Sequence, residues 1–130
     1  MRKSQQSLQA SQASLVPRPV GLYGLDAYRV ALEFYEGVMA LVASASNIRP
    51  AVRDQLLRAA EQTVLNIGEA HPAIGADRAR RFRNAASEAS ECGVALDLVA
   101  RGGVSPEALA PLSALLDRVR AMLWRLSRPR

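Results

Sequence analysis

Cysteine, histidine and long apolar runs are scarce in this chain, and each scarcity excludes a class of protein. The 130 residues include one cysteine, Cys92, and one histidine, His71. A single cysteine cannot build an internal disulfide framework, and a single histidine cannot supply a metal site that needs two imidazoles. No stretch reaches the roughly 18 consecutive apolar residues that span a bilayer. Serine, glutamine and alanine follow the first basic residues where a signal peptide is apolar, so we expect a cytoplasmic protein with no membrane contact.

Aromatic residues are also few, and this shapes the core. They make up 5% of the chain, so aliphatic side chains and alanine must fill the interior. Hydrophobic residues reach 49% and charged residues 22%, a balance that argues against wholesale disorder. The length fits one domain, and no alternating strand pattern or glycine-rich phosphate loop is present.

Four segments repeat apolar residues every three or four positions, which predicts an all-α protein. The first segment begins at Leu25, the second near Pro50, the third after the break at residues 71–75, and the fourth at Ser105-Pro106. Proline is accepted in the first turn of a helix, and serine is a favoured N-cap. Short connections between such segments favour an antiparallel up-and-down four-helix bundle.

The chain divides into two compositional zones. Serine, glutamine and alanine dominate residues 1–22, which we interpret as a flexible N-terminal tail. Residues 23–130 form the predicted bundle. Each of its helices has a row of side chains expected to face the core: Leu25, Tyr28, Leu32, Tyr35, Met39 and Val42; Val52, Leu56, Ala60, Thr63 and Ile67; Phe82, Ala86, Ala89, Gly93 and Leu96; Leu109, Leu112, Leu116, Val119, Leu123 and Leu126.

The predicted helices carry more apolar surface than one bundle core needs. On the first helix Phe34, Val38 and Leu41 form a second row, so the apolar arc spans about 160° at about 100° per residue. Leu65 and Trp124 also face away from the core rows of their helices. Because large exposed apolar patches mark contacts, we predict that these five residues pack against other copies of the chain. A thick core or scattered surface residues are the alternatives, and Trp124 has the further alternative of stacking on a base.

Positive charge exceeds negative charge, with 17 Lys and Arg against 12 Asp and Glu. All but one of these cations are arginine, whose planar guanidinium makes forked contacts to phosphate. Wound onto a helix with Phe82 inward, Arg81 and Arg83 flank the core on opposite sides. An oligomer would pool this charge into a stronger field, whereas pairing with acids such as Asp77 would leave an ordinary solvated surface. The predicted nucleic-acid contacts are Arg78, Arg80, Arg81, Arg83, Arg118, Arg125 and Arg128.

Polar residues on the second and third helices suggest a buried network rather than catalysis. We predict that it joins Arg58, Asn66, Glu69 and Glu91. Paired carboxylates can act as general acid and base, but no nucleophile, metal cluster or partner histidine lies at useful spacing. We therefore expect no enzymatic activity, no cofactor and no metal.

A motif on the second predicted helix resembles that of a known family. It reads Gln55-Leu56-Leu57-Arg58-Ala59-Ala60, then Thr63, then Asn66-Ile67-Gly68-Glu69-Ala70. This is similar to QL-x-RAA-x-S/T followed by NI-A-E-G in the four-helix bundle proteins encoded in intervening sequences of bacterial 23S ribosomal RNA genes. Residues 25–32 and 89–97 resemble their first and third helices. The resemblance spans roughly residues 25–127, and it implies a non-enzymatic, ring-shaped homopentamer loosely tied to ribosomal RNA or other nucleic acid.

Together these features predict a homo-oligomeric four-helix bundle that binds structured RNA or another nucleic acid through arginine–phosphate contacts. The alternative is an oligomeric protein-interaction scaffold whose arginines meet an acidic protein. A related group of proteins serves as accessory subunits of retroelement reverse transcriptases, so the resemblance also allows an accessory subunit of a nucleic-acid enzyme.

Overall fold

The computed structural model describes residues 25–128, which form four α-helices with no strand in that range. The prediction of an all-α four-helix bundle is therefore confirmed. The predicted tail, residues 1–22, lies outside the described residues. None of the four helices is both long enough and apolar enough to cross a membrane. The helices are α1 (Asp26–Ser44), α2 (Pro50–Ala70), α3 (Gly75–Arg101) and α4 (Pro106–Leu126).

Local sequence signals set most helix ends. Pro50 and Pro106 occupy the first turns of α2 and α4, where their missing N–H costs nothing. The Ser105 hydroxyl accepts a hydrogen bond from the Ala108 N–H at 3.2 Å and so caps α4. Gly75 at the start of α3 and Gly103 after its end have φ values of +59° and +104°, a region that glycine occupies without strain.

The helices pack in chain order around one core. α1 lies beside α2 and α4, and α3 also lies beside α2 and α4, as in an up-and-down antiparallel bundle. The start of α1, the α2–α3 loop and the end of α4 consequently share one end of the molecule. The largest fully buried side chains come from all four helices and include Phe34, Leu56, Phe82 and Leu123.

The core-facing row of α1 differs from the prediction. Phe34, Val38 and Leu41 are only 1%, 0% and 7% exposed, so they belong to the core of the protomer. Their assignment to an oligomer interface is therefore wrong. The row predicted to be core lies at the edge of the helix instead, and Met39 within it is 46% exposed. Because the apolar arc of α1 is so wide, the sequence does not show which residues lie at the centre of the buried face. The tyrosines of the predicted row favour the edge of that face, because a phenolic hydroxyl needs a polar partner.

Tyr28 shows where that edge lies. Its ring approaches Gly68 of α2, where an added Cβ would lie 3.9 Å from the tyrosine Cε1. The tyrosine row therefore covers the junction of α1 and α2. The opposite flank of α1 approaches α4 at Gly37, whose missing side chain leaves room for Leu112.

Candidate nucleic-acid interface

The first half of α3 and the last half of α4 bring several arginines to the same end of the bundle. The link between them is direct, because Arg83 Nη1 lies 3.5 Å from the Ser127 carbonyl oxygen. Arg81 points the other way, toward α2, as the helical spacing predicts. The arginine run of α3 is therefore divided between two sides of the helix.

Two of the arginines predicted to contact phosphate already form ion pairs with acidic side chains. Arg80 Nη2 lies 2.6 Å from Asp77 Oδ1, and Arg81 Nε lies 3.1 Å from Asp77 Oδ2. Arg81 also reaches Glu69 Oε2 at 3.6 Å. Hydrogen bonds from Arg80 and then Arg81 lower the pKa of Asp77 below its ordinary value of 3.8. Arg80 and Arg81 therefore fit the alternative interpretation better, in which arginines pair with acidic residues on an ordinary solvated surface.

Other arginines lack such partners and lie against aromatic rings. The Arg78 guanidinium stands 4.8 Å from the centre of the Phe82 ring, and the Arg128 guanidinium stands 4.4 Å from the centre of the Trp124 ring. Both distances are within the range of cation–π attraction. Within residues 25–128 no carboxylate pairs with Arg78, Arg83 or Arg128. Apart from Arg83 Nη1, which contacts the Ser127 carbonyl oxygen, their guanidinium donors are therefore available to a phosphate.

Trp124 lies in a shallow groove between α3 and α4 and is 60% exposed. The groove has a volume of about 390 Å³ and is open to solvent. The α3 wall is low because it consists of small residues. The lining residues are Ala86, Ser90, Asp117, Arg120, Ala121, Trp124 and Ser127.

Arg120 joins this groove although it is not among the predicted phosphate contacts. An added Cβ on Gly93 of α3 would lie 4.0 Å from Arg120 Nη1, which places the guanidinium over that glycine. The sequence holds a signal for this grouping, since Asp117, Arg120 and Trp124 are spaced by three and four residues and must share one face of a helix. The predicted arginines share an outward direction on their helices. That direction alone does not show how close a side chain lies to Trp124 in the fold.

Arg118 and Arg125 do not converge with this group. Seven residues apart, they lie on the outer side of α4, away from its leucine row. Arg125 instead lines a second groove between α4 and the start of α1, together with Leu25 and Met122. These two predicted contacts therefore extend the positive surface beyond the Trp124 groove.

Charge is unevenly divided between the two halves of the bundle. Residues 25–71 carry four arginines and six acidic residues, whereas residues 72–128 carry nine arginines and six acidic residues. The α3–α4 half is positive and the α1–α2 half is negative. A polyanion that approaches the bundle is consequently attracted to the side that holds the Trp124 groove.

The predicted polar network is neither buried nor continuous. Arg58 reaches Glu91 at 3.8 Å, but their side chains are 53% and 46% exposed. Glu69 pairs separately with Arg81, and Asn66 Nδ2 donates to the Gln62 carbonyl oxygen of its own helix at 2.8 Å. A buried network is therefore the wrong description. Two surface ion pairs cross the α2–α3 junction, and surface pairs add little stability.

Two titratable groups near this junction have raised pKa values. Burial, followed by the nearby Glu91 carboxylate, raises the pKa of Glu88 above its ordinary value of 4.5, and Arg58 opposes this. Burial likewise raises the pKa of the Cys92 thiol to about 12, so the thiol stays protonated at neutral pH. Within residues 25–128 no three His, Cys, Asp or Glu side chains are grouped to hold a metal ion.

Comparison with known proteins adds no relative. No protein-family model matches the chain, and no curated protein matches it. The likeness to the 23S intervening-sequence family therefore rests on the α2 motif and on the segments 25–32 and 89–97, and it stays a prediction.

Proposed function

We propose that this chain is a non-enzymatic helical bundle that binds RNA or another nucleic acid through arginine–phosphate contacts on its α3–α4 face. One observation carries the proposal. Arg120 lines the groove of the exposed Trp124, Arg128 stands over its indole and Arg83 reaches the neighbouring Ser127, and within residues 25–128 none of the three pairs with a carboxylate. A cytoplasmic location is part of the same proposal.

The chemistry of the cluster suits phosphate better than an isolated carboxylate. Each guanidinium offers five N–H donors in a rigid fork that matches the oxygens of a phosphate. Side chains of the positive α3–α4 half, including Arg78, Arg118 and Arg125, can extend the contact along a phosphate backbone. Arg80 and Arg81 contribute less, because a phosphate must compete there with Asp77 and Glu69.

The test compares two triple variants of equal charge. The first variant changes Arg83, Arg120 and Arg128 to glutamine. The control makes the same change at the other end of the bundle, at Arg49, Arg53 and Arg101. Affinity for a fluorescent RNA that contains a hairpin and a single-stranded flank is measured by anisotropy at about 50 and 200 mM salt, a range over which phosphate contacts weaken strongly. We expect the first variant to bind less tightly and to have a shallower salt slope, by about 0.7–0.9 for each phosphate that it no longer neutralises.

Either of two results would remove the proposal. The first is a wild-type chain with no affinity for RNA at low salt. The second is an equal decrease of affinity in both triple variants, which would show that net charge alone matters. A protein-interaction scaffold is the other candidate, and it is favoured if an associated protein stays bound after nuclease treatment.

Homo-oligomerisation remains part of the proposal, but fewer apolar residues are exposed for an interface between copies than the sequence predicted. Of the five predicted interface residues, Leu65 and Trp124 remain exposed, at 48% and 60%. They lie on different helices, α2 and α4. A pentamer is implied only by the family resemblance, and a measurement of mass in solution tests it.

A further inference from the structure

We propose that the groove between α3 and α4 takes an unpaired base of a single-stranded segment, which stacks on Trp124 while Arg83, Arg120 and Arg128 hold the adjoining phosphates. This inference rests on the proposed function and adds the form of nucleic acid that is bound. The arginines alone would accept the backbone of a duplex or of a single strand.

The exposed indole is the first reason. Trp124 presents more than half of its surface to solvent, although a tryptophan side chain is large and apolar. The planar Arg128 guanidinium already stands over its ring, so a flat group has access to that face. A base stacks on an aromatic ring in the same way, and it can replace the guanidinium over the ring.

The shape of the groove is the second reason. Ala86, Ser90 and Ala121 keep the walls beside Trp124 low, and the groove encloses about 390 Å³. Bases inside a duplex stack on one another and present only their edges, so the face of a tryptophan can reach only a base that is unpaired or terminal. The groove therefore selects a flexible strand, loop or bulge over a continuous helix.

Asp117 is the third reason. Asp117 lines the groove together with Arg120, yet within residues 25–128 no arginine forms an ion pair with it. A phosphate in the groove would be repelled by this carboxylate. The exocyclic amino group of a base can donate a hydrogen bond to it, as cytosine does to acidic side chains elsewhere. The arrangement thus places the base inside the groove and the phosphates at its arginine rim.

The experiment uses Trp124 as both reporter and target, because it is the only tryptophan in the chain. The probes are a short single-stranded RNA, a blunt duplex without a loop and with the same number of phosphates, an abasic strand of the length of the single strand, and inorganic polyphosphate. Binding of the single strand should quench Trp124 fluorescence, and its affinity should exceed that of the duplex and of the abasic strand.

Variants of Trp124 separate stacking from charge. Trp124→Ala should weaken binding of the single strand about 5- to 100-fold, the range expected for removal of one base–aromatic stack. Trp124→Phe should restore most of that affinity. Binding of polyphosphate should not change in either variant. Leu98→Ala is the control, since Leu98 is 52% exposed on α3 and lies toward the far end of that helix.

The outcomes distinguish this inference from the function on which it rests. If Trp124→Ala binds the single strand as tightly as the wild type does, or if the abasic strand binds equally well, base stacking is overturned while the arginine-dependent function stands. If the wild type binds none of the RNAs, both are overturned. Circular dichroism of each variant confirms that the helices are intact.

Discussion

At the scale of single residues, Gly37 and Gly93 both face a neighbouring helix, but only Gly37 sets how closely the two helices approach. A Cβ added to Gly37 would clash with Cδ2 of Leu112, a side chain that is only 5% exposed. A Cβ added to Gly93 would lie 3.8 Å from Leu116 Cδ2, an ordinary contact distance. Gly37 is therefore required by packing, whereas Gly93 leaves room for a methyl group.

Substitution of these glycines should change stability in opposite directions. Gly37→Val should lower the free energy of unfolding by about 1–3 kcal/mol, because the core at Leu112 must shift. Gly93→Ala should raise it by about 0.5–1 kcal/mol, because alanine favours helix without a clash. Urea denaturation of both variants measures the difference. Destabilisation of similar size at both positions would contradict this account of the packing.

Glu88 makes stability depend on pH in a direction opposite to that of Asp77. The pKa of Glu88 is raised in the folded chain, chiefly by burial, and its Oε1 atom has no hydrogen-bond partner within residues 25–128. The folded chain therefore binds this proton more tightly than the unfolded chain does. The contribution of Glu88 is fully present below its ordinary pKa of 4.5 and is lost as the pH rises through the folded value.

Replacement of Glu88 by glutamine tests this sign. The free energy of unfolding of Glu88→Gln should exceed that of the wild type at pH 7, and the difference should shrink toward pH 4. The lowered pKa of Asp77 stabilises the fold above its ordinary value of 3.8 and is lost as the pH falls, but it is common to both proteins and cancels. Glu61→Gln, at an exposed position of α2, is the control for removal of one negative charge. A difference that grows toward low pH would have the wrong sign.

At the scale of helices, α4 is the only one of the four helices in residues 25–128 with a side-chain N-cap. The Ser105 hydroxyl accepts from the Ala108 N–H, whereas Leu25, Arg49 and Ile74 precede α1, α2 and α3 without a side-chain hydrogen bond. Ile74 is also 83% exposed, so its apolar side chain contributes little to the core. The N-terminus of α3 therefore has neither a side-chain N-cap nor a buried residue before it, and a polar residue at position 74 can supply the cap.

Exchange of capping groups should move stability by similar amounts in opposite directions. Ser105→Ala should lower the free energy of unfolding by about 0.5–2 kcal/mol, because the Ala108 N–H loses its acceptor. Ile74→Ser should raise it by about 0.5–1 kcal/mol, since the Ile74 backbone already has the extended conformation of an N-cap. Thermal unfolding followed by circular dichroism measures both. The interpretation fails if Ile74→Ser destabilises the chain.

The sequence predicts where the helices begin and end better than it predicts which face of each helix is buried. Pro50, Pro106 and the two glycines at 102 and 103 mark helix ends by backbone chemistry, which is local. The leucine row of α4 is narrow, and the structure buries it as expected through Leu123. The apolar arc of α1 is wide, and the choice of Phe34 over Tyr35 as a core residue depends on how its neighbours are placed.

The candidate interface was predictable in composition but not in grouping. Sequence spacing places Arg81 and Arg83 on opposite sides of α3, and the structure shows contacts to α2 and α4, respectively. No local pattern reveals that Arg83 meets Ser127, 44 residues away. The meeting of Arg83 with the end of α4 that carries Trp124 and Arg128 is a property of the tertiary fold.

At the scale of the whole molecule, two of the five apolar positions predicted for an interface should respond differently to substitution. Phe34 is 1% exposed and fills the core, whereas Leu65 is 48% exposed on α2. Phe34→Ala should therefore destabilise the protomer by about 3–5 kcal/mol. Leu65→Glu should leave the stability of an isolated protomer within about 0.5 kcal/mol, because it changes a surface side chain.

Mass in solution then decides whether Leu65 serves an oligomer. If copies associate through Leu65, light scattering of the wild type should give a multiple of the 14.0 kDa chain, and Leu65→Glu should reduce it without loss of helix. Met39→Glu is the matched control, since Met39 is 46% exposed and lies on the neighbouring helix α1. An equal decrease of mass in both variants would indicate an interface that spans the α1–α2 face. A wild-type mass of one chain at micromolar concentration would remove the oligomer, and nucleic-acid binding would then depend on the charge of a single α3–α4 face.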